Sequence, residues 1–227
     1  MQREIKYWYL RNYDLFTQLT KEQVNDLCKT ARFLRMKKGQ TIYFANQDKK
    51  RMYFLINGKC KISEIDRMGN EMIKDIVLTG DLFGNLSGGG YGLTQEYAEV
   101  LSSEVIICMY EMPDFEMLMQ KHPSLSYAFS QKMSDKLKRM EQRYANLVFK
   151  DVKERLKAFL HDWAQREGKS DVEGTVIRNY LTHQEIASLI SSSRQTVTTL
   201  INELKLEGKV QYSRSRIVIP DVRRLAA

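Results

Sequence analysis

Arg194, Gln195, Thr198, Thr199, Asn202 and Lys205 recur at helical spacing within SRQTVTTLINELKLEG, while Val197, Leu200, Ile201 and Leu204 fall on the opposite face. A helix with guanidinium, amide and hydroxyl groups along one side is suited to hydrogen-bonding the edges of nucleic-acid bases. Arginine donates to guanine O6 and N7 together, and glutamine pairs with adenine N6 and N7. The chemistry on offer is recognition.

Two helices are needed to present such a face. Thr182 followed by Glu185 has capping-box spacing, which predicts a first helix with Ile186, Ala187, Leu189 and Ile190 inward. The run Ser191-Ser192-Ser193 interrupts it and offers a cap for a second helix from Arg194, which Gly208 is placed to end. This is the geometry of a helix-turn-helix whose second helix enters the major groove. Thr182, Gln184 and Lys205 are then placed for phosphates, which position the protein without specifying sequence. VQYSRSRIVIP, residues 210–220, reads as two short strands around a Ser-Arg turn, a wing that brings Arg214 and Arg216 near the DNA backbone.

The bulk properties agree. The chain has 227 residues, 43% of them hydrophobic, enough for two ordinary domains with separate cores. A formal net charge of +8 favours a polyanionic partner. Cys28, Cys60 and Cys108 lack any CxxC pair and read as buried free thiols, and His122, His161 and His183 are equally scattered. No local Ser/His/Asp or Cys/His grouping suggests an enzyme. No apolar run spans a bilayer and the start MQREIKYWYLRNY has no continuous signal-peptide core, so a cytoplasmic protein with no membrane partner is expected.

From Gly39 to Tyr110 short strands alternate with turns, which implies a sandwich or β-roll, and Asn57-Gly58 predicts a hairpin with a type I′ turn. Residues 123–149 contain no glycine and no proline after Pro123. Leu125, Phe129, Met133, Leu137, Met140, Tyr144 and Leu147 recur there every three or four residues, the mark of a long amphipathic helix. Its stripe either packs on the chain's own β-domain or forms a coiled-coil seam with a second copy. The spacing favours a homodimer through Met133, Leu137, Met140, Tyr144 and Leu147. Another helix is expected after Asp151.

With these features in order, residues 15–219 resemble the CRP/FNR family of bacterial transcription regulators, with GDLFG in the β-roll and SRQTV opening the recognition helix. The resemblance implies an α+β chain: a cyclic-nucleotide-binding-like β-roll sensor over residues 1–120, a dimerisation helix over 121–149 and a winged helix-turn-helix over 150–227. It implies a sequence-specific regulator binding a palindromic operator in double-stranded DNA as a homodimer. Base reading falls to Arg194, Gln195 and Thr199, and phosphate contacts to Thr182, Gln184 and Ser193. Two readers depart from the pattern, since the family commonly has an acidic residue at Gln195 and its best-known members an arginine at Thr199. Arg194 should still select guanine, with neighbouring specificity shifted toward adenine. For activation the family often supplies a surface for RNA polymerase near the loop between Gln165 and Val176.

Members that bind cyclic nucleotides hold the ribose with an acidic residue after GDxxG and the phosphate with an Arg-Ser pair. The matching pocket here is Gly84, Asn85, Glu96, Tyr97 and, on the long helix, Met140. Loss of the arginine–phosphate contact alone costs roughly 2–5 kcal/mol, moving a micromolar site toward millimolar. Cyclic AMP is therefore not the expected signal. SGGGYG lacks the following GK[ST] of a phosphate loop. No cofactor is expected, because the family's iron–sulfur and haem sensors need ligands the matching regions lack. An apolar or anion-free ligand, a thiol switch at Cys60 or Cys108, and no effector at all stay open. A cyclic-nucleotide- or other small-molecule-binding signalling module is the alternative function, against which the helix-turn-helix and wing weigh.

Overall fold

A computed structural model describes residues 3–44, 50–84 and 95–226. The chain divides into two compact units, residues 1–137 and 138–227.

The first unit runs α1 (Arg3–Arg11), a 3-10 turn (Asp14–Phe16), α2 (Lys21–Thr30), β1 (Arg32–Lys37), β2 (Thr41–Phe44), β3 (Arg51–Asn57) and β4 (Lys59–Ile65). It continues through β5 (Glu71–Leu78), β6 (Leu82–Gly84), β7 (Gln95–Val100), β8 (Glu104–Glu111), α3 (Met112–Lys121) and the start of α4 (Pro123–Phe149). The strands form two four-stranded sheets, ordered β1-β8-β3-β6 and β2-β7-β4-β5. Both faces of β3 are covered, which explains the unbroken apolar run MYFLI, residues 52–56. Tyr53 and Leu55 enter the core shared by the two sheets, beside Tyr43, Cys60, Ala98 and Val100. Met52 and Phe54 turn to the other face and pack with Leu10, Phe16, Leu27, Phe115 and Leu125 from the helices.

The hairpin predicted at Asn57-Gly58 is corrected by the topology. β3 and β4 belong to different sheets, so the dipeptide is a corner at which the chain changes sheet. Gly58 has φ +100°, and a Cβ there would lie 2.6 Å from Ser102 Oγ and 2.7 Å from the Glu104 carbonyl. Close approach of backbone demands the glycine, and only Gly58 of the pair has positive φ. A true hairpin joins β4 to β5, where Asp66 Oδ1 accepts from the N–H groups of Met68 and Asn70 at 2.8 and 2.9 Å.

The long helix forms over the span that the periodicity predicts, and its stripe is divided. Leu125 is buried, and Phe129 and Met133 are half-buried against the helical core of the first unit. Leu137, Met140, Tyr144 and Leu147 are 45–70% exposed.

The second unit holds the rest of α4, then α5 (Val152–Glu167), β9 (Lys169–Asp171), β10 (Gly174–Arg178), α6 (His183–Leu189) and α7 (Arg194–Leu206). β11 (Gln211–Tyr212), β12 (Arg216–Ile219) and α8 (Val222–Ala226) close it, with a sheet ordered β11-β12-β10-β9. Leu156, Leu160, Trp163, Ile177, Ile186, Val197, Ile201, Leu204 and Ile217 make its core. Mixed helices and antiparallel sheets give the expected α+β class. Among the described residues no helix is long and apolar enough to cross a membrane.

Candidate nucleic-acid interface

The helix-turn-helix is built by local hydrogen bonds that its sequence encodes. Thr182 caps α6: its hydroxyl oxygen accepts from Glu185 N at 3.2 Å, and the Glu185 carboxylate accepts from Thr182 N at 2.8 Å. After α6 the turn places Ser191 at φ +53°, a left-handed conformation that costs a side-chain-bearing residue roughly 1–2 kcal/mol. Arg155 on α5 holds that turn, donating from Nε to the Ile190 carbonyl at 2.9 Å and from Nη2 to Ser191 O at 3.2 Å. Ser193 then caps α7, its oxygen accepting from Thr196 N at 3.0 Å. Arg155 is a positioning residue that local spacing does not reveal, because the two turn carbonyls it holds lie some 35 positions away.

On α7, Val197, Ile201 and Leu204 are buried. Arg194, Gln195, Thr199, Asn202 and Lys205 are exposed, so the residues expected to read DNA share an open face. The far end of α7 is tied to α5, where Lys153 Nζ lies 3.0 Å from Glu203 Oε2 and 2.7 Å from Glu207 Oε1. Hydrogen bonds from Lys153 and then Lys209 hold the Glu207 carboxyl down at about 2.

Of the expected phosphate contacts, Gln184 is exposed. Thr182 and Ser193 are exposed as well, and both hydroxyls serve as caps. Thr182 Oγ1 also donates to Glu185 Oε2 at 3.0 Å, and Ser193 Oγ meets Thr196 Oγ1 at 2.8 Å. In the wing Arg214 is exposed at the turn. Arg216 is drawn to the β9–β10 hairpin, with Nη2 2.8 Å from Glu173 Oε2 and 3.4 Å from Asp171 Oδ2. That hairpin occupies the region read as a loop between Gln165 and Val176.

The candidate effector pocket is organised differently. Gly84 ends β6 at φ +124°, where a Cβ would stand 2.4 Å from the Arg51 carbonyl, so strand pairing accounts for this glycine. Asn85 and the SGGGYG run lie outside the described residues. Met140 belongs to the second unit and is exposed on α4. Glu96 on β7 accepts from the Tyr43 hydroxyl at 2.8 Å and from Lys74 Nζ at 2.8 Å, and Lys74 also meets Glu64 at 3.0 Å. Burial, then Glu96, pushes the Tyr43 phenol up and keeps it a donor. For Lys74 burial acts to lower the pKa, and hydrogen bonds to Glu96 and Glu64 outweigh it, so the ammonium stays charged. Behind Glu96, Tyr43 stacks on Tyr53 at 5.3 Å and Tyr53 on Phe83 at 5.3 Å, filling the space between the sheets. Tyr97 donates instead to Glu71 at 2.6 Å, and burial followed by that bond pushes its phenol up to about 12.

All three thiols are buried and free. Burial pushes Cys60 up to about 12 and Cys108 higher still, so neither supplies thiolate at neutral pH, which weighs against a thiol switch at either.

Comparisons with known proteins follow the same division. Residues 154–227 match the Crp-like helix-turn-helix domain, and residues 33–122 the cyclic nucleotide-binding domain. The global nitrogen regulator of Synechocystis sp. is 28% identical over 183 residues, covering 80% of this chain and 81% of the relative. A CRP-like cAMP-activated global transcriptional regulator of Mycobacterium tuberculosis is 28% identical over 189 residues, covering 83% of this chain and 84% of the relative. A CooA variant from Carboxydothermus hydrogenoformans shares the fold, with a TM-score of 0.74 at 23% identity over 87% of each chain.

Proposed function

The chain belongs to the CRP/FNR family of transcription regulators, DNA-binding proteins and not enzymes, and on that premise we propose that it binds a palindromic operator as a homodimer without cyclic AMP as its signal. The observation that carries the DNA reading is the open face of α7, on which Arg194, Gln195 and Thr199 stand exposed opposite buried Val197, Ile201 and Leu204. Each copy places one such helix in a major groove, and the two grooves lie about 34–36 Å apart.

The dimer reading is supported by α4, which carries Leu137, Met140, Tyr144 and Leu147 exposed at heptad spacing beyond the point where its stripe is covered by the first unit's core. Those four residues are the proposed seam, with Met133 at its edge. The domain boundaries proposed are residues 1–120, 121–149 and 150–227.

Independence from cyclic AMP rests on Glu96. A nucleotide phosphate would have to displace a carboxylate that Tyr43 and Lys74 already satisfy, and then meet its charge. One relative is named for activation by cAMP and another for nitrogen regulation, so family likeness leaves the effector to this chain's own residues. Activation would further require a surface for RNA polymerase, proposed at the β9–β10 hairpin, where Val172 stands exposed.

Selection from a random DNA pool with reduced, ligand-free protein at fixed salt tests the reading. Recovery of a palindrome whose half-sites each carry a guanine is expected. Enrichment of no sequence, with or without cell extract, would sink it. Sedimentation of the Met140→Lys, Tyr144→Lys double variant should give monomers, whereas an unchanged mass moves the interface elsewhere. Calorimetry should show no micromolar heat of cyclic-AMP binding.

A further inference from the structure

His183 opens α6 between two expected phosphate contacts, Thr182 and Gln184, yet its ring is engaged within the reading head. Nδ1 lies 2.8 Å from Thr198 Oγ1 on α7, and the ring packs on Tyr212 of the wing strand β11 with centroids 5.3 Å apart. Three elements therefore meet at one imidazole. The hydrogen-bond inventory also favours one tautomer. Thr198 has a single hydroxyl proton, and with that proton given to the Arg194 carbonyl at 2.9 Å its oxygen accepts from the ring. Nδ1 carries the hydrogen, and in the neutral ring Nε2 is the nitrogen left to take a proton.

We propose that His183 is a proton-linked positioning residue: it ties α7 to α6 and the wing through Thr198 and Tyr212, and takes up a proton at Nε2 when DNA binds. The proposal rests on the assignment of α7 as the reading helix and adds a means by which pH acts on it.

The charges around the ring give the sign. From α7 the facing charge is Arg194, and burial first and Arg194 second lower the His183 pKa in the free protein. From β11 the facing group is the Tyr212 phenol, raised by burial and hence neutral. On its own helix Glu185 is occupied by the Thr182 cap. DNA changes this balance, because phosphates arrive beside Thr182 and Gln184 and Arg194 engages a base. A nearby negative charge favours imidazolium. Binding therefore takes up protons, and operator affinity rises as pH falls between the free and bound pKa values. Without DNA the sign reverses: a folded-state pKa below the ordinary 6.5 makes the unit less stable as pH drops through that range.

The test is anisotropy of a labelled operator duplex with full-length protein at constant ionic strength, from about pH 5.5 to about pH 8. Wild type should bind more tightly as pH falls, by up to about tenfold per pH unit for each half-site. His183→Gln should flatten that slope. A slope that survives in His183→Gln, or a wild type with no slope, overturns the proposal while leaving the DNA reading intact. If wild type binds no duplex at any pH, the DNA reading falls and the proposal with it. Should His183→Gln fail to fold, nitrogen NMR of wild type decides: a His183 pKa that rises on adding duplex supports the linkage, and one that stays put refutes it.

Discussion

The interior of the β-roll and the outer face of α7 both carry polar groups at positions where the family resemblance leads one to expect recognition, and those groups use their hydrogen bonds differently. In the roll, Glu96 is satisfied by Tyr43 and Lys74, and the aromatic stack of Tyr43, Tyr53 and Phe83 occupies the volume behind it. On α7, Arg194, Gln195 and Thr199 stand exposed while hydrogen bonds at both ends hold the helix itself in place. Among the described residues of the sensor-like domain, the Glu96 carboxylate is engaged within the fold. The recognition helix keeps its groups for a partner, and the positioning is delegated to neighbours such as Arg155, Lys153 and His183.

The sharpest way to break this contrast is to open the roll. Phe83 is fully buried, so Phe83→Ala should cost about 3–5 kcal/mol in urea denaturation, with reading-head contacts untouched. A small loss would mean that the aromatic stack is not the closed core described above. Next in size is Arg194→Ala, expected to weaken operator binding by roughly 1–3 kcal/mol and relax one base position per half-site without altering thermal stability. Lys205→Ala should weaken all sequences alike and lower the salt dependence of binding. Equal effects of the two substitutions on specificity would place the reading face elsewhere.

Ser191→Gly relieves the left-handed serine in the turn and should stabilise the second unit by up to about 1 kcal/mol, measured by chemical denaturation. Destabilisation would mean that the serine side chain has an unrecognised partner. The smallest effect concerns acid. Glu207, held at about 2 against its ordinary 4.5, adds stability that is present above the unfolded value and is lost as pH falls through the folded one. Because the pair is exposed, salt should suppress it. Glu207→Gln should narrow the drop in melting temperature between about pH 6 and about pH 3 at low salt and change nothing at high salt.

Much of the second unit is legible in the sequence. Caps at Thr182 and Ser193, the two helices that follow, the buried face of Val197, Ile201 and Leu204, and the wing strands all depend on residues within a few positions of each other. Local hydrogen bonds and a period of 3.6 residues carry that information, and the extent of α4 follows by the same rule. Less of the first unit is legible. Asn57-Gly58 carries the strongest hairpin signal in the chain, yet the dipeptide turns a corner between sheets, with β3 paired to β8 and β4 to β7.

What the sequence by itself determined is therefore the order of elements, the family, and which face of α7 looks outward. The tertiary structure alone decided the partners of Glu96 and Arg155, the diversion of Arg216 to the β9–β10 hairpin, the division of the α4 stripe and the lock of His183 on Thr198. Tyr43 and Glu96 are 53 positions apart, and His183 and Thr198 are 15 apart. Contacts at such separations depend on how sheets and helices pack, and no local spacing rule encodes them.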